Sequence, residues 1–459
     1  MGYYNTSIKL QDESSAPSPV IISTVALRNF RNFVSEEFRF ISGFTIVIGN
    51  NGVGKSSILK GLQVALGAYL QSLKKLPPST IYRRQFRPDE RRVFYSEIER
   101  DYVSDDQSTM VEVHSTLRLN EREIGWSREY LKNGITSHGK AKQGDLLIFV
   151  ERALQDRENA WKPLLVLANF GVSRLNAQVR KKDPSWRKKT WIEKGYYSAL
   201  ADTVDFTGVY NWLAEYDKNL KLGKEFEGSK EAFYVALKTA IPYIQAVEYN
   251  QNYRQLEMIL DFEDGQTVES KLLEDLSDGT RSVVHMAAEI AYRCITINRY
   301  LKADAIKQSP GVVLIDEIDM LLHPKWQRHI VSDFKAAFPS IQFIATTHSP
   351  FIVQSLQSRE LINLDRITKI NPNTLPIEVI ATEIMGVESE SSQLVQHDLM
   401  AVDEFAKILT QNDLSFEGRI KAEVIEEIIN SVTDPSTKAI MRLKVLEMES
   451  GAGRQAVIR

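Results

Sequence analysis

With a single cysteine, Cys294, in 459 residues the chain cannot close an internal disulfide, and without a CxxC pair it lacks the usual structural zinc arrangement and a zinc-hook dimerisation motif. A reducing cytoplasm is the compartment this usage leads one to expect. No apolar run approaches the roughly 20 residues needed to cross a bilayer, so no membrane domain is expected. An excess of one charge is missing too. Lys and Arg number 57 against 60 Asp and Glu, a net charge of -3, which exerts no global pull towards nucleic acid. Sustained heptads are absent, which excludes extended coiled-coil arms, and no internal repeat or low-complexity tract stands out. What is present, 43% hydrophobic and 25% charged residues, suffices for a large packed core or two. Residues 1–19 are polar and rich in Ser and Pro, and read as a flexible leader, not a signal peptide.

The first informative stretch is FTIVIGNNGVGKSSILKGL. Gly49, Gly54, Lys55 and Ser56 satisfy GxxxxGK[ST], with an apolar strand from Phe44 to Ile48 before them and a helix from Lys55 to about Leu70 after them. Glycines at 49, 52 and 54 permit positive φ and close backbone approach, so that successive amides can point at phosphates, and the helix dipole adds to that field. Asn50, Asn51, Gly52, Val53, Gly54, Lys55, Ser56 and Ser57 are the expected nucleotide contacts. Lys55 would reach the β- and γ-phosphates, and the Ser56 hydroxyl would ligate Mg²⁺.

Further on, GVVLIDEIDMLLHP is an apolar run that delivers two adjacent carboxylates, Asp316 and Glu317, to the edge where parallel sheets bind ligands. Asp316 is expected to hold the Mg²⁺ shell and Glu317 to orient or deprotonate the attacking water. A second strand, IQFIATTHSP, places His348 on the same rim, within reach of a γ-phosphate. Upstream, Ser277, Asp278 and Gly279 in LEDLSDGTRS read as a cap and turn before a long helix, whose free amides form an anion site.

GNNGVGKS, LSDGTR, VVLIDEIDMLLHPKWQ and ATTHSP, in this order, resemble the ABC ATPases of the RecF, SMC and OLD kind, specifically the small bacterial members without long coiled coils. The match spans most of residues 20–390 and implies an α/β, ABC-type P-loop NTPase with a mixed or parallel sheet core, a helical signature lobe at about 175–300 and a small helical C-terminal extension. NFRNF looks like the element that sets Arg31 beside the nucleotide. The resemblance makes Ser277 and Gly279 signature residues that contact the γ-phosphate held by another subunit, in a head-to-tail dimer or larger oligomer. His323 stands where transporter ATPases carry an aspartate. Gln85 is the candidate Mg²⁺-sensing glutamine, with Asp89 as the alternative. FGVSR around Arg174, HPKWQ and EVIATEIMGVESES are similar to the defence-associated branch, within it the ATPases of Septu anti-phage systems. That likeness implies ATP and Mg²⁺ as cofactors and a separate HNH nuclease as partner. A RecF-like DNA repair or DNA-clamping ATPase is the competing reading; a transporter subunit is disfavoured by NFRNF and LSDGTR.

Two basic clusters, at 71–92 and at 174–194 with Trp186 and Trp191, offer a nucleic-acid backbone charge and stacking faces. Residues 391–459 show three short helical patterns and no acidic triad for a nuclease, which suits a docking or oligomerisation region or, equally, a helical cap on the ATPase core.

Overall fold

The computed structural model describes residues 21–96, 101–104, 109–119, 122–131, 135–138, 143–155, 163–176, 184–203, 205–261, 267–365 and 370–387, with single helical positions at Glu427, Ile429, Asn430, Lys438 and Arg442. Two compact units emerge, Met1–Ile380 and Ala381–Arg459. The first ends short of the boundary expected at 390. The expected leader, and nearly all of the three helical patterns beyond 391, lie outside the described residues.

In chain order the strands are β1 (Ile22–Phe30), β2 (Phe33–Arg39), β3 (Phe44–Ile48), β4 (Val93–Ser96), β5 (Asp101–Ser104), β6 (Thr109–Leu119), β7 (Arg122–Tyr130), β8 (Thr136–His138), β9 (Val166–Phe170), β10 (Ile244–Asn250), β11 (Gln255–Asp261), β12 (Thr267–Leu272), β13 (Gly311–Ile315), β14 (Ile341–Thr346) and β15 (Leu361–Asn363). The longer helices are α1 (Lys55–Ser72), α2 (Gln143–Gln155), α3 (Trp191–Tyr196), α4 (Thr207–Lys221), α5 (Ser229–Ala240) and α6 (Asp278–Ile297).

The continuous apolar runs of the sequence become one parallel sheet of order β15-β3-β14-β13-β9. Its β3, β9, β13 and β14 are buried along their whole length, as strands covered on both faces must be. The alternating strands form an antiparallel sheet, β2-β1-β6-β7-β8. Between the two sheets runs α1, which packs on β1, β6, β7 and β14. That position explains why its sequence is apolar on almost every face, with Ile58, Leu62, Leu66 and Tyr69 all inaccessible. Gly61 lets α1 approach β1, since a Cβ there would lie 2.5 Å from the Leu27 side chain.

Gln342 joins the two sheets. Second in β14 and wholly buried, its side-chain amide accepts from the Ile22 amide at 2.9 Å and donates to the carbonyls of Ile22 at 2.8 Å and Ile41 at 3.0 Å. The amphipathic stretches between 190 and 300 fold as α3, α4 and α5 around α6, which also packs on β9, with a second antiparallel sheet β10-β11-β12 beside α5. The expected α/β P-loop NTPase fold is therefore the one observed. Among the described residues no helix is long and apolar enough to cross a membrane.

Candidate nucleotide site

The loop of residues 49–54 connects β3 to α1 at the C-terminal edge of the parallel sheet. Gly52 and Gly54 take φ of 84° and 114°, left-handed backbone that a side chain resists. A Cβ on Gly54 would also fall 2.6 Å from the Phe33 ring. The NFRNF turn between β1 and β2 thus underlies the loop, and Asn32 Nδ2 donates to the Gly52 carbonyl. Arg31, with φ 47°, sits at the tip of this turn, its amide donating to the Glu90 carbonyl at 3.0 Å. Asn50, Asn51, Gly52 and Ser56 are exposed, whereas Lys55 and Ser57 are buried. Lys55 Nζ folds over the loop and donates to the carbonyls of Gly49 at 2.7 Å and Asn50 at 2.9 Å. Burial lowers its pKa, and the carboxylates of Asp365, Asp316 and Glu317 pull the other way.

Asp316 and Glu317 follow β13 on the same edge. Ser56 Oγ donates to Asp316 Oδ1 at 3.1 Å, and Thr346 Oγ1, at the end of β14, donates to the same oxygen at 2.6 Å. Thr346 Oγ1 accepts in turn from the Glu317 amide at 2.8 Å. A hydroxyl and a carboxylate oxygen converging at a phosphate loop are hard donors that suit Mg²⁺, which takes few protein ligands and completes its shell with phosphate and water.

Arg174 locks this arrangement from below. It is 2% exposed, and it donates from Nη1 to the Asp316 carbonyl and from Nη2 to the Glu317 carbonyl, each at 2.6 Å. Its Nε donates to Ser282 Oγ of α6 at 3.1 Å. Burial brings its pKa down to about 10, which leaves it charged at neutral pH. Glu317 is held with φ 49°, a conformation that costs a non-glycine residue about 1–3 kcal/mol and persists only where neighbours enforce it.

The family described as "AAA domain, putative AbiEii toxin, Type IV TA system" matches residues 44–354, from the first residue of β3 to a point just beyond β14. The chain belongs to this family and is an ATPase. Over 432 residues it is 24% identical to the retron Vc95 probable ATPase of Vibrio cholerae serotype O1 biovar El Tor, covering 82% of this chain and 80% of that one. The resemblance to Septu ATPases is borne out by the Septu protein PtuA of Bacillus mycoides (strain KBAB4), 48% identical over 89 residues. That stretch is 19% of this chain and spans only 12% of the curated relative. The Smc head bound to the C-winged helix domain of ScpA aligns at 16% identity with a TM-score of 0.43, covering 73% of this chain and 92% of that one.

In this AAA-family chain Ser277 is the N-cap of α6, its Oγ accepting from the Thr280 amide at 3.4 Å. Gly279 is packed so closely that a Cβ would lie 2.2 Å from the Leu321 carbonyl oxygen, in the loop after the acidic strand. Gly279→Ala is therefore expected to displace that loop at a cost of about 1–3 kcal/mol, read as a lowered thermal midpoint. An unchanged midpoint would mean the turn yields freely. His348 is exposed at the end of β14, its amide 3.3 Å from Asp319 Oδ1. His323 caps the short helix 324–327, Nδ1 accepting from the Lys325 amide at 3.3 Å. Gln85 is exposed, and among the described residues no hydrogen bond joins it to Ser56 or Asp316. Asp89 is exposed as well.

The basic clusters are not the continuous stripes their sequence suggests. Arg84 pairs with Glu90 in the interior, Arg87 reaches Asp202, Lys74 pairs with Glu151, and Arg91 donates to the Leu131 carbonyl at 2.8 Å. Trp186 is 3% exposed and edge-on to Tyr197, so it is core. Sequence reasoning missed Thr346, Asp319 and Asp365. Asp319 Oδ1 accepts from Thr347 Oγ1 at 2.6 Å, and Asp365 Oδ2 accepts from the Asn50 amide at 2.7 Å. For Thr346 the signal was a polar residue ending an apolar strand, and for Asp319 a third carboxylate in the loop after Asp316 and Glu317; Asp365, 315 positions from its partner, left none.

Proposed function

We propose that this ATPase is the regulatory component of an anti-phage defence system, in which nucleotide state sets the assembly of chains and thereby controls a separate HNH nuclease. The convergence of Ser56, Asp316 and Thr346 at the phosphate loop, with Glu317 held alongside by Arg174, is the observation that carries the ATP reading. Lys55 exchanges the carbonyls of Gly49 and Asn50 for the β- and γ-phosphates, which compete for the same ammonium. The loop amides from Asn50 to Ser57 and the side chain of Arg31 hold the triphosphate. Ser56 and Asp316 hold Mg²⁺, which when bound offsets phosphate charge. Glu317 takes the proton of the attacking water, and His348 donates to a γ-phosphate oxygen.

Ser277, Asp278 and Gly279 open the long helix α6, with Ser277 and Asp278 exposed at its N-terminus, the half of a site that a second chain's triphosphate would fill. Two chains related head to tail would each complete the other's site, so ATP stabilises the pair by contacts that neither chain makes alone. The relatives' names support the defence context. Trapping ATP with Glu317→Gln should raise the mass seen by size-exclusion chromatography with light scattering when ATP and Mg²⁺ are present. An identical mass with and without nucleotide would sink the switch.

A further inference from the structure

The tryptophan-bearing end of the second basic cluster belongs to none of the machinery above. A cavity of about 590 Å³ opens there between the residues leading into α3, the helix α4 and the C-terminal half of α6. Trp186, Trp191, Trp212 and Tyr292 supply its aromatic lining. Trp212 and Tyr292 are buried at its back wall. Five cations share the lining with only two carboxylates, Glu215 and Glu225.

These cations are not equivalent. Arg187 is taken by Glu215, Nε to Oε1 at 2.7 Å, and Arg299 donates to the Lys224 carbonyl while lying 5.5 Å above the Phe226 ring. Lys194 makes no ion pair among the described residues, although it is only half exposed. Burial lowers its pKa, with Glu215 and Glu225 opposing, and burial raises that of Glu225. An ammonium partly withdrawn from water and without an ion pair of its own is stabilised further by an anion that arrives. Lys218, exposed on the rim, adds a second positive charge.

We propose that this cavity binds a phosphorylated nucleoside, its phosphate at Lys194 and Lys218 and its base against Trp191, the part-exposed indole of the lining. Inorganic anions would need the cations alone, and apolar ligands the indoles alone; a nucleotide uses both. The volume suits one nucleotide, since small-molecule sites run to roughly 300–1,000 Å³. Asn211 and Asn219 line the same wall and offer amides to a base edge. That chemistry has two sources, a free mononucleotide and the 5′-phosphorylated end of a single strand. Tyr292 and Thr296, part of the lining, stand on α6, the helix that Ser277 caps and that Ser282 ties to Arg174, so an occupant touches the helix that ends in the signature turn.

Three of the chain's six tryptophans line the cavity, so their fluorescence reports binding directly. The full chain is titrated with AMP and with a 5′-phosphorylated tetranucleotide. Saturable quenching is expected to persist in Lys55→Ala and to weaken roughly tenfold or more in Lys194→Glu. Lys218→Glu repeats the test at an exposed position where folding is not at stake. Quenching by AMP identifies the free nucleotide, and quenching by the tetranucleotide alone identifies a strand end. If neither ligand quenches, or if the signal is lost in Lys55→Ala and unchanged in both glutamate variants, the cavity is not a nucleotide site.

Discussion

Lys55→Ala is expected to weaken ATP binding by roughly two orders of magnitude, because it removes a charge-assisted contact worth about 1.5–3 kcal/mol and frees two carbonyls to face the phosphates. In the free chain the ammonium already bridges the Gly49 and Asn50 carbonyls, so its loss also loosens the loop before any ligand arrives. Glu317→Gln is expected to behave differently. The amide keeps its size and the Glu317 backbone keeps its bonds to Thr346 and Arg174, so binding survives. Turnover should fall by roughly 10²–10⁴, the usual contribution of a positioned general base. Equilibrium binding and phosphate release, measured on both variants, separate the two roles. Equal losses of binding and turnover in both would contradict them.

The second large effect is expected at Arg174, far from any exposed surface. Arg174→Leu removes the guanidinium donors to the carbonyls of Asp316 and Glu317 and to the hydroxyl of Ser282. Removing one member of a buried charged network costs about 3–5 kcal/mol, enough to lower the thermal midpoint by several degrees. Arg174→Lys should recover part of the stability and little of the turnover, since an ammonium cannot reach the Asp316 and Glu317 carbonyls as a fork while holding Ser282. Thermal unfolding beside single-turnover hydrolysis makes the distinction. A lysine variant with full turnover would reduce Arg174 to a packing residue.

Local chemistry made some of these features readable. The loop declared itself because glycines at 52 and 54 have a backbone reason to be there, and the apolar runs at 44–48, 311–315 and 341–346 could only be covered strands. The cap at Ser277 was legible for the same reason: a hydroxyl one residue before a helix satisfies a free amide. Long-range pairing was not legible. Arg174 meets Asp316 across 142 positions, and nothing in FGVSR says that its guanidinium faces inward. In the basic cluster at 71–92 the sequence could not show which cations are paired inside the chain, as Arg84 is with Glu90 and Arg87 with Asp202.

Gln342 has one more implication. A side-chain amide sealed between two sheets rivets the opening residue of β1 to β14, so one sheet cannot slide along the other there without breaking three bonds away from water.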